Sequence, residues 1–260
     1  MTNMTILRQV QLHQLGILKQ LVKIFEMQGL TYFAVAGTAL GAVRHGGFIP
    51  WDDDLDIGMP RASYEKFLKI QHLLPDNLFI QHFRTEKNYP LYFPKVRDKN
   101  TLFLERRNAG FDINHGVFID VIPFDETLDI HSEQARLEKI YDRFRRLTPC
   151  HRPGANIKRL FYKMRYSLSY RPATQAAFFE QLDREVQQHR GKNTEKLGYI
   201  LHAESIRAAD LYPLRFCKFE DMQIALPANV ERYLTEKYGD YLTLPAPEQR
   251  ISHHPLEVRL

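Results

Sequence analysis

Trp51-Asp52-Asp53-Asp54-Leu55-Asp56-Ile57 sets four carboxylates beside two residues that belong in a core. On a strand, positions two apart share a face. Asp54 and Asp56 then point together, while Leu55 and Ile57 point inward. Two such carboxylates repel, and a hard divalent cation is their natural partner, because Mg²⁺ takes carboxylate oxygens together with substrate phosphates. The plainer reading is a solvated acidic turn, the usual fate of an isolated Asp-x-Asp pair. The stretch upstream weighs against it. Val35-Ala36-Gly37-Thr38-Ala39 reads as a strand breaking into a helix. A glycine there lets the backbone approach a phosphate, and a helix N-terminus favours negative charge. Thr38 adds a hydroxyl donor or caps the helix; taken alone, the unit is a cap and a turn. Together, a phosphate cradle follows one strand and a metal-binding pair lies on the next.

Outward from this block, Leu7, Val10, Leu15, Leu18, Leu21, Val22 and Phe25 recur at helical spacing, with Gly29 placed to cap the helix. Leu30 to Val35 is a buried strand, and Ala39 to Val43 a short helix. Leu55 to Met59 is a strand stopped by Pro60, and Arg61 to Leu74 a helix. Leu78 to Phe83 and Leu91 to Val96 are strands. Val117 to Ile122 is strongly strand-like, and Pro123 is expected to end it. Ser132 to Leu147, Leu160 to Tyr170, Thr174 to His189 and Ala228 to Tyr238 are helical. Phe216 to Phe219 and Met222 to Leu226 form a hairpin around Glu220-Asp221.

The fold class is therefore α+β. Residues 1–150 are mixed, residues 151–260 are mainly helical, and the two are expected to pack as one unit. The seam, Thr148 to Asn156, holds Pro149, Pro153 and Gly154.

Asp120 supplies a third carboxylate, inside an apolar run where an Asp is costly to bury unless paired or bound to metal. The alternative is a strand-end Asp in water. Three carboxylates on neighbouring strands suit metal-assisted phosphoryl transfer, and Asp120 can also take the proton of an attacking hydroxyl.

The chain has 260 residues, 44% hydrophobic and 26% charged, which excludes disorder as the main state. Its two cysteines exclude a disulfide framework and an all-cysteine zinc site. No basic-then-apolar leader opens it, and the uncharged run Met27 to Val43 is broken by Gly29, Gly37 and Gly41, so neither a signal peptide nor a membrane span is expected. A net charge of +5 favours anionic partners. The basic residues are scattered without a compact recognition motif, so no nucleic-acid partner is expected.

Gly37-Thr38-Ala39-Leu40-Gly41-Ala42-Val43-Arg44-His45, followed by Gly47-Phe48-Ile49-Pro50-Trp51-Asp52-Asp53-Asp54-Leu55-Asp56-Ile57, resembles the LicD/fukutin family. The likeness continues through Phe93-Pro94-Lys95-Val96-Arg97-Asp98, the Asp120 strand and Tyr238-Gly239-Asp240-Tyr241. It implies a nucleotidyltransferase-like core that transfers a substituted phosphate from a nucleotide-diphosphate donor to a hydroxyl. In bacterial members the donor is CDP-choline and the acceptor a cell-surface glycan such as teichoic acid or lipopolysaccharide. Carried over, Gly37 and Thr38 match the phosphate-binding turn, Asp54 and Asp56 the metal pair, and Asp120 the third carboxylate. Mg²⁺, or Mn²⁺, is the implied cofactor. Fukutin-type members add a cysteine-rich zinc element and a membrane anchor, which two cysteines and no apolar span do not match. A cytoplasmic enzyme meeting a lipid-linked acceptor at the inner membrane face is the implied setting.

Secondary candidates surround this core. Lys95 and Arg97 alternate on a strand, facing either the donor phosphates or solvent. Arg44 and His45 are substrate contacts or a solvated loop. Trp51 offers a choline headgroup an aromatic face, as do Tyr89, Tyr92 and Phe93, although packing is the commoner use of such residues. Arg250, His253 and His254 form a basic ending that contacts metal or simply hangs free.

Overall fold

The computed structural model describes residues 4–147, 172–252 and 254–260, with the helical backbone alone at 141–147 and 172–176. Helix α1 (Ile6–Gln28) has Thr5 Oγ1 accepting the Arg8 N–H at its start and a left-handed Gly29 at its end. Its apolar stripe includes two buried amides, Gln11 and Gln14. Strand β1 (Phe33–Ala34) covers only part of the second half of the expected run. Helix α2 spans Ala36–His45, so Gly37 and Thr38 lie in its first turn rather than in a break before it. Strand β2 (Asp56–Pro60) leads into α3 (Arg61–Phe67) and a 3-10 turn, Gln71–Leu73, where a longer helix is expected.

Strands β3 (Leu78–Gln81) and β4 (Lys95–Asp98) follow, β4 beginning four residues beyond Leu91. A short β5 (Leu102–Phe103) precedes β6 (Phe118–Thr127). Strand β6 does not stop at Pro123. On one side it runs parallel to β2 as far as Phe124. On the other, β4 pairs with residues 118–120 and a later strand with 125–127. Pro123 sits where the second neighbour changes, so its missing N–H interrupts no ladder on that side.

Helices α4 (Ile130–Leu147) and α5 (Pro172–Val186) come next. The expected helix Leu160 to Tyr170 lies outside the described residues. Strands β7 (Lys196–Tyr199) and β8 (Glu204–Arg207) then extend the sheet beyond β6, a contribution the helical reading of this region does not contain. After α6 (Ala208–Leu211), β9 (Arg215–Phe219) and β10 (Met222–Leu226) make the expected hairpin. Helix α7 (Val230–Tyr238) ends at Gly239, and β11 (Val258–Arg259) returns to pair with β5.

The main sheet runs β1-β2-β6-β4-β3, mixed through its single parallel pair β2/β6. Helices flank it, as an α+β fold requires. One apolar cluster joins α1, the sheet, the β9–β10 hairpin and α7. A second joins Phe83, Tyr89, Tyr92, Leu137, Phe179 and Leu182 beneath α4 and α5. Tyr89 and Tyr92 are therefore core residues, closed to a headgroup ligand.

Candidate active site

Strand register builds the site. Asp56 lies opposite Asp120 across β2/β6, and Lys95 lies opposite Asp120 across β6/β4. One row therefore carries acid, acid and base. Leu55 and Ile57 are fully buried on the other face, as alternation requires.

Lys95 Nζ stands 2.8 Å from Asp120 Oδ1 and 3.6 Å from Glu105 Oε1, over the Phe118 ring. Arg97, two residues along, donates to Glu105 Oε2 at 2.8 Å, to Gln81 and to the Gly116 carbonyl. Neither cation faces solvent, and neither stands ready for a phosphate. Arg97 has no exposed surface, and its donors are turned inward. The expected phosphate-facing pair is instead a buried ionic lattice that holds Asp120. The cause is Glu105, whose carboxylate draws both side chains into the protein.

Charge states follow from this packing. Burial pushes the Glu105 carboxyl up, but Lys95 and Arg97 outweigh it and hold the group at about 2. Burial pushes Asp120 up more strongly than Lys95 pulls it down; Glu105 and Asp54 add to the rise, which reaches about 6. Asp56 is pushed well above the ordinary carboxylate value by burial, then by Asp54, Asp120, Asp52 and Glu204. Asp52, Asp54, Asp56 and Asp120 thus crowd one region.

The preceding turn is locked to this row. Thr38 Oγ1 accepts the Asp56 N–H at 2.8 Å, leaving its own proton to donate. A Cβ on Gly37 would fall 2.5 Å from Asp52 Oδ2, so a larger residue there would displace the Asp52 carboxylate from the α2 N-terminus. Ala36 takes the uncommon φ of 46° and donates its N–H to Tyr233 Oη at 2.7 Å. Tyr233 in turn donates to Glu204, which also pairs with Lys237. From the other side, Gln11 donates to the carbonyls of Ile49 and Asp52, and Gln14 to those of Asp53 and Phe118. Asp53 is buried at this anchor.

Arg44, His45 and Trp51 do come together at one edge. Arg44 Nε donates to His45 Nε2 at 3.0 Å, and the His45 ring stands edge-on to Trp51 at 5.9 Å. Arg250 lies over Trp51, 5.2 Å from the ring centroid. That face of Trp51 is thus covered by a guanidinium, where choline contact is expected. His253 lies outside the described residues, and His254 is exposed.

Sequence reasoning missed Glu105, Gln11, Gln14, Glu204 and Tyr233. The glutamines had a signal, since an amide on an apolar helix stripe asks for a buried partner. Glu105, Glu204 and Tyr233 had none that was local.

Among the described residues no group of three or more His, Cys, Asp or Glu side chains is drawn together tightly enough to hold a metal alone. The donor set still fits a hard cation. Mg²⁺ takes one or two carboxylates and completes its shell with water and phosphate oxygens, and the mutual opposition around Asp56 is what such a charge relieves. Asp54 and Asp56 would be the residues to hold such an ion. No helix among the described residues is long and apolar enough to cross a membrane.

The family model described as LicD/FKTN/FKRP, nucleotidyltransferase domain, matches residues 29–139, from the end of α1 into α4. The chain is 25% identical to the lipopolysaccharide cholinephosphotransferase LicD of Haemophilus influenzae, with 95% of this chain and 96% of that protein aligned. It is 44% identical over 41 residues to the ribitol 5-phosphate transferase FKRP of Homo sapiens, 16% of this chain and 8% of that one. An uncharacterized protein of Rickettsia prowazekii, RP689, is 40% identical over 68 residues, covering 26% and 24%.

Proposed function

We propose that this chain, which belongs to the LicD family, moves a substituted phosphate from a nucleotide-diphosphate donor to a hydroxyl of a cell-surface glycan or teichoic acid precursor, with Mg²⁺ or Mn²⁺ as cofactor. The observation that carries the reading is the row Asp56–Asp120–Lys95 across three strands, with Asp54 and Asp52 beside it. Phosphocholine from CDP-choline is the favoured group. The cholinephosphotransferase relative aligns over nearly the whole chain, whereas the ribitol 5-phosphate transferase aligns over 16% of it.

Asp54 and Asp56 hold the divalent ion, which when bound neutralises phosphate oxygens. The acceptor hydroxyl oxygen forms a bond to phosphorus, and the bond to the bridging oxygen of the donor breaks. The nucleoside monophosphate leaves with that electron pair. Asp120 receives the hydroxyl proton; burial raises its carboxyl above the ordinary value and so makes it the better base. Lys95 and Glu105 fix its orientation. Thr38 ties α2 to the metal-binding strand. We place the enzyme in the cytoplasm, at the inner membrane face where a lipid-linked acceptor is met.

Asp56→Asn tests the reading. Transfer should fall by at least about a hundredfold, since a metal's charge stabilisation is worth several kcal/mol, while the protein stays folded. Full activity in a folded Asp56→Asn protein would contradict the metal assignment. Release of pyrophosphate in place of a nucleoside monophosphate would show that the nucleotide is the group transferred.

A further inference from the structure

Two guanidiniums converge on Trp51, Arg250 over its ring and Arg44 through His45, which stands edge-on to it. Arg44 and Arg250 are both half-buried. Burial disfavours the charge of Arg44, and Arg250 lies close enough to oppose it as well. Among the described residues neither has a carboxylate partner. The more deeply buried cations do: Arg61 pairs with Asp125, and Lys95 and Arg97 with Glu105.

Their donors are instead spent on neutral groups that fix direction. Arg44 donates to His45 Nε2 and to the carbonyls of Tyr241 and Thr243. Arg250 donates through Nε to the Pro245 carbonyl and spreads over Trp51. Arg44 thus ties residues 241–243 to α2, and Arg250 ties its own turn to Trp51. The Arg44 N–H needs the lone pair on His45 Nε2, and His45 is held below its ordinary value by burial and by Arg44, so no third positive charge is added.

The pair is also next to the chemistry. Trp51 immediately precedes Asp52, and Tyr238 acts electrostatically on Arg44 and is itself raised by burial, then by Glu204, Asp56, Asp52 and Asp54. Two neighbouring like charges without a carboxylate partner favour an anionic ligand beside them. Guanidinium forks suit phosphate oxygens.

We propose that Arg44 and Arg250 form the seat for the phosphate that departs with the nucleoside. The inference rests on the transferase reading and adds to it a second cationic site, separate from the metal pair. As the bond from phosphorus to the bridging oxygen breaks, negative charge gathers on the leaving phosphate, and these two side chains face it.

The test is calorimetric titration of the full chain with CMP and, separately, with inorganic pyrophosphate, in wild type and Arg250→Gln. Glutamine keeps a planar donor for the Pro245 carbonyl but removes the charge. The expected result is a loss of CMP affinity of roughly 10- to 100-fold, the worth of one charged hydrogen bond, at an unchanged melting temperature. Arg44→Gln should show the same loss, and serves if Arg250→Gln melts early. Unchanged CMP affinity in both folded variants would overturn the seat, and so would a wild-type protein that binds neither probe. Arg250-dependent binding of pyrophosphate without any binding of CMP would keep the seat and sink the nucleotide-donor reading.

Discussion

Asp56 is opposed by four other carboxylates, Asp54, Asp120, Asp52 and Glu204, in addition to its burial. Its carboxyl is raised in the folded chain, so ionising it favours unfolding. Stability from this group is therefore present at low pH and lost as pH rises through the folded value. In metal-free buffer, Asp56→Asn should accordingly be more stable than wild type at pH 8, and the gap should close towards pH 4. Urea melts with a chelator present measure this, and a gap of opposite sign would contradict it. Lys95 predicts the reverse. Lys95→Met leaves Asp120 and Glu105 in a buried site with half their compensation, at a cost of about 3–5 kcal/mol in the same assay. The acids were legible in sequence because Leu55, Ile57 and the apolar run around Asp120 mark them as inward-lying strand positions. The role of Lys95 and Arg97 was not, because Glu105 reaches them from a loop with no pattern linking the three.

At the scale of elements, strand β6 organises the sheet by changing neighbours at Pro123, and close packing of β1 and β2 against it leaves no spare volume. A Cβ on Gly58 would fall within 2.9 Å of Phe33, Phe124 and Val35 side-chain atoms. Gly58→Ala should cost about 1–3 kcal/mol by overpacking, read from the urea midpoint. Arg61 opens α3 and grips Asp125 of β6 with two donors and Asp183 of α5 with a third. Helix α1, the hairpin and α7 were readable from periodicity, turn residues and the caps at Gly29 and Gly239. Strands β7 and β8 were not, because four-residue segments carry too little alternation to stand out between helices. Pro123 misled for a physical reason: proline ends a strand only where its missing N–H faces a partner.

Over the whole molecule, a net charge of +5 coexists with a local excess of acid at Asp52, Asp54, Asp56 and Asp120. A bound metal and a phosphate-bearing donor would together reconcile the two. Mg²⁺ with CDP-choline should therefore raise the melting temperature beyond the effect of either alone, since a ligand of the folded state stabilises by mass action. No such gain should appear in Asp54→Asn. The central claim is tested most directly by following donor phosphorus by ³¹P NMR while wild-type and Asp56→Asn proteins turn over CDP-choline with Mg²⁺ and a lipopolysaccharide acceptor. The account predicts CMP release with phosphocholine on the glycan in wild type and neither in Asp56→Asn. Pyrophosphate among the wild-type products, or equal turnover by a folded Asp56→Asn protein, would contradict it.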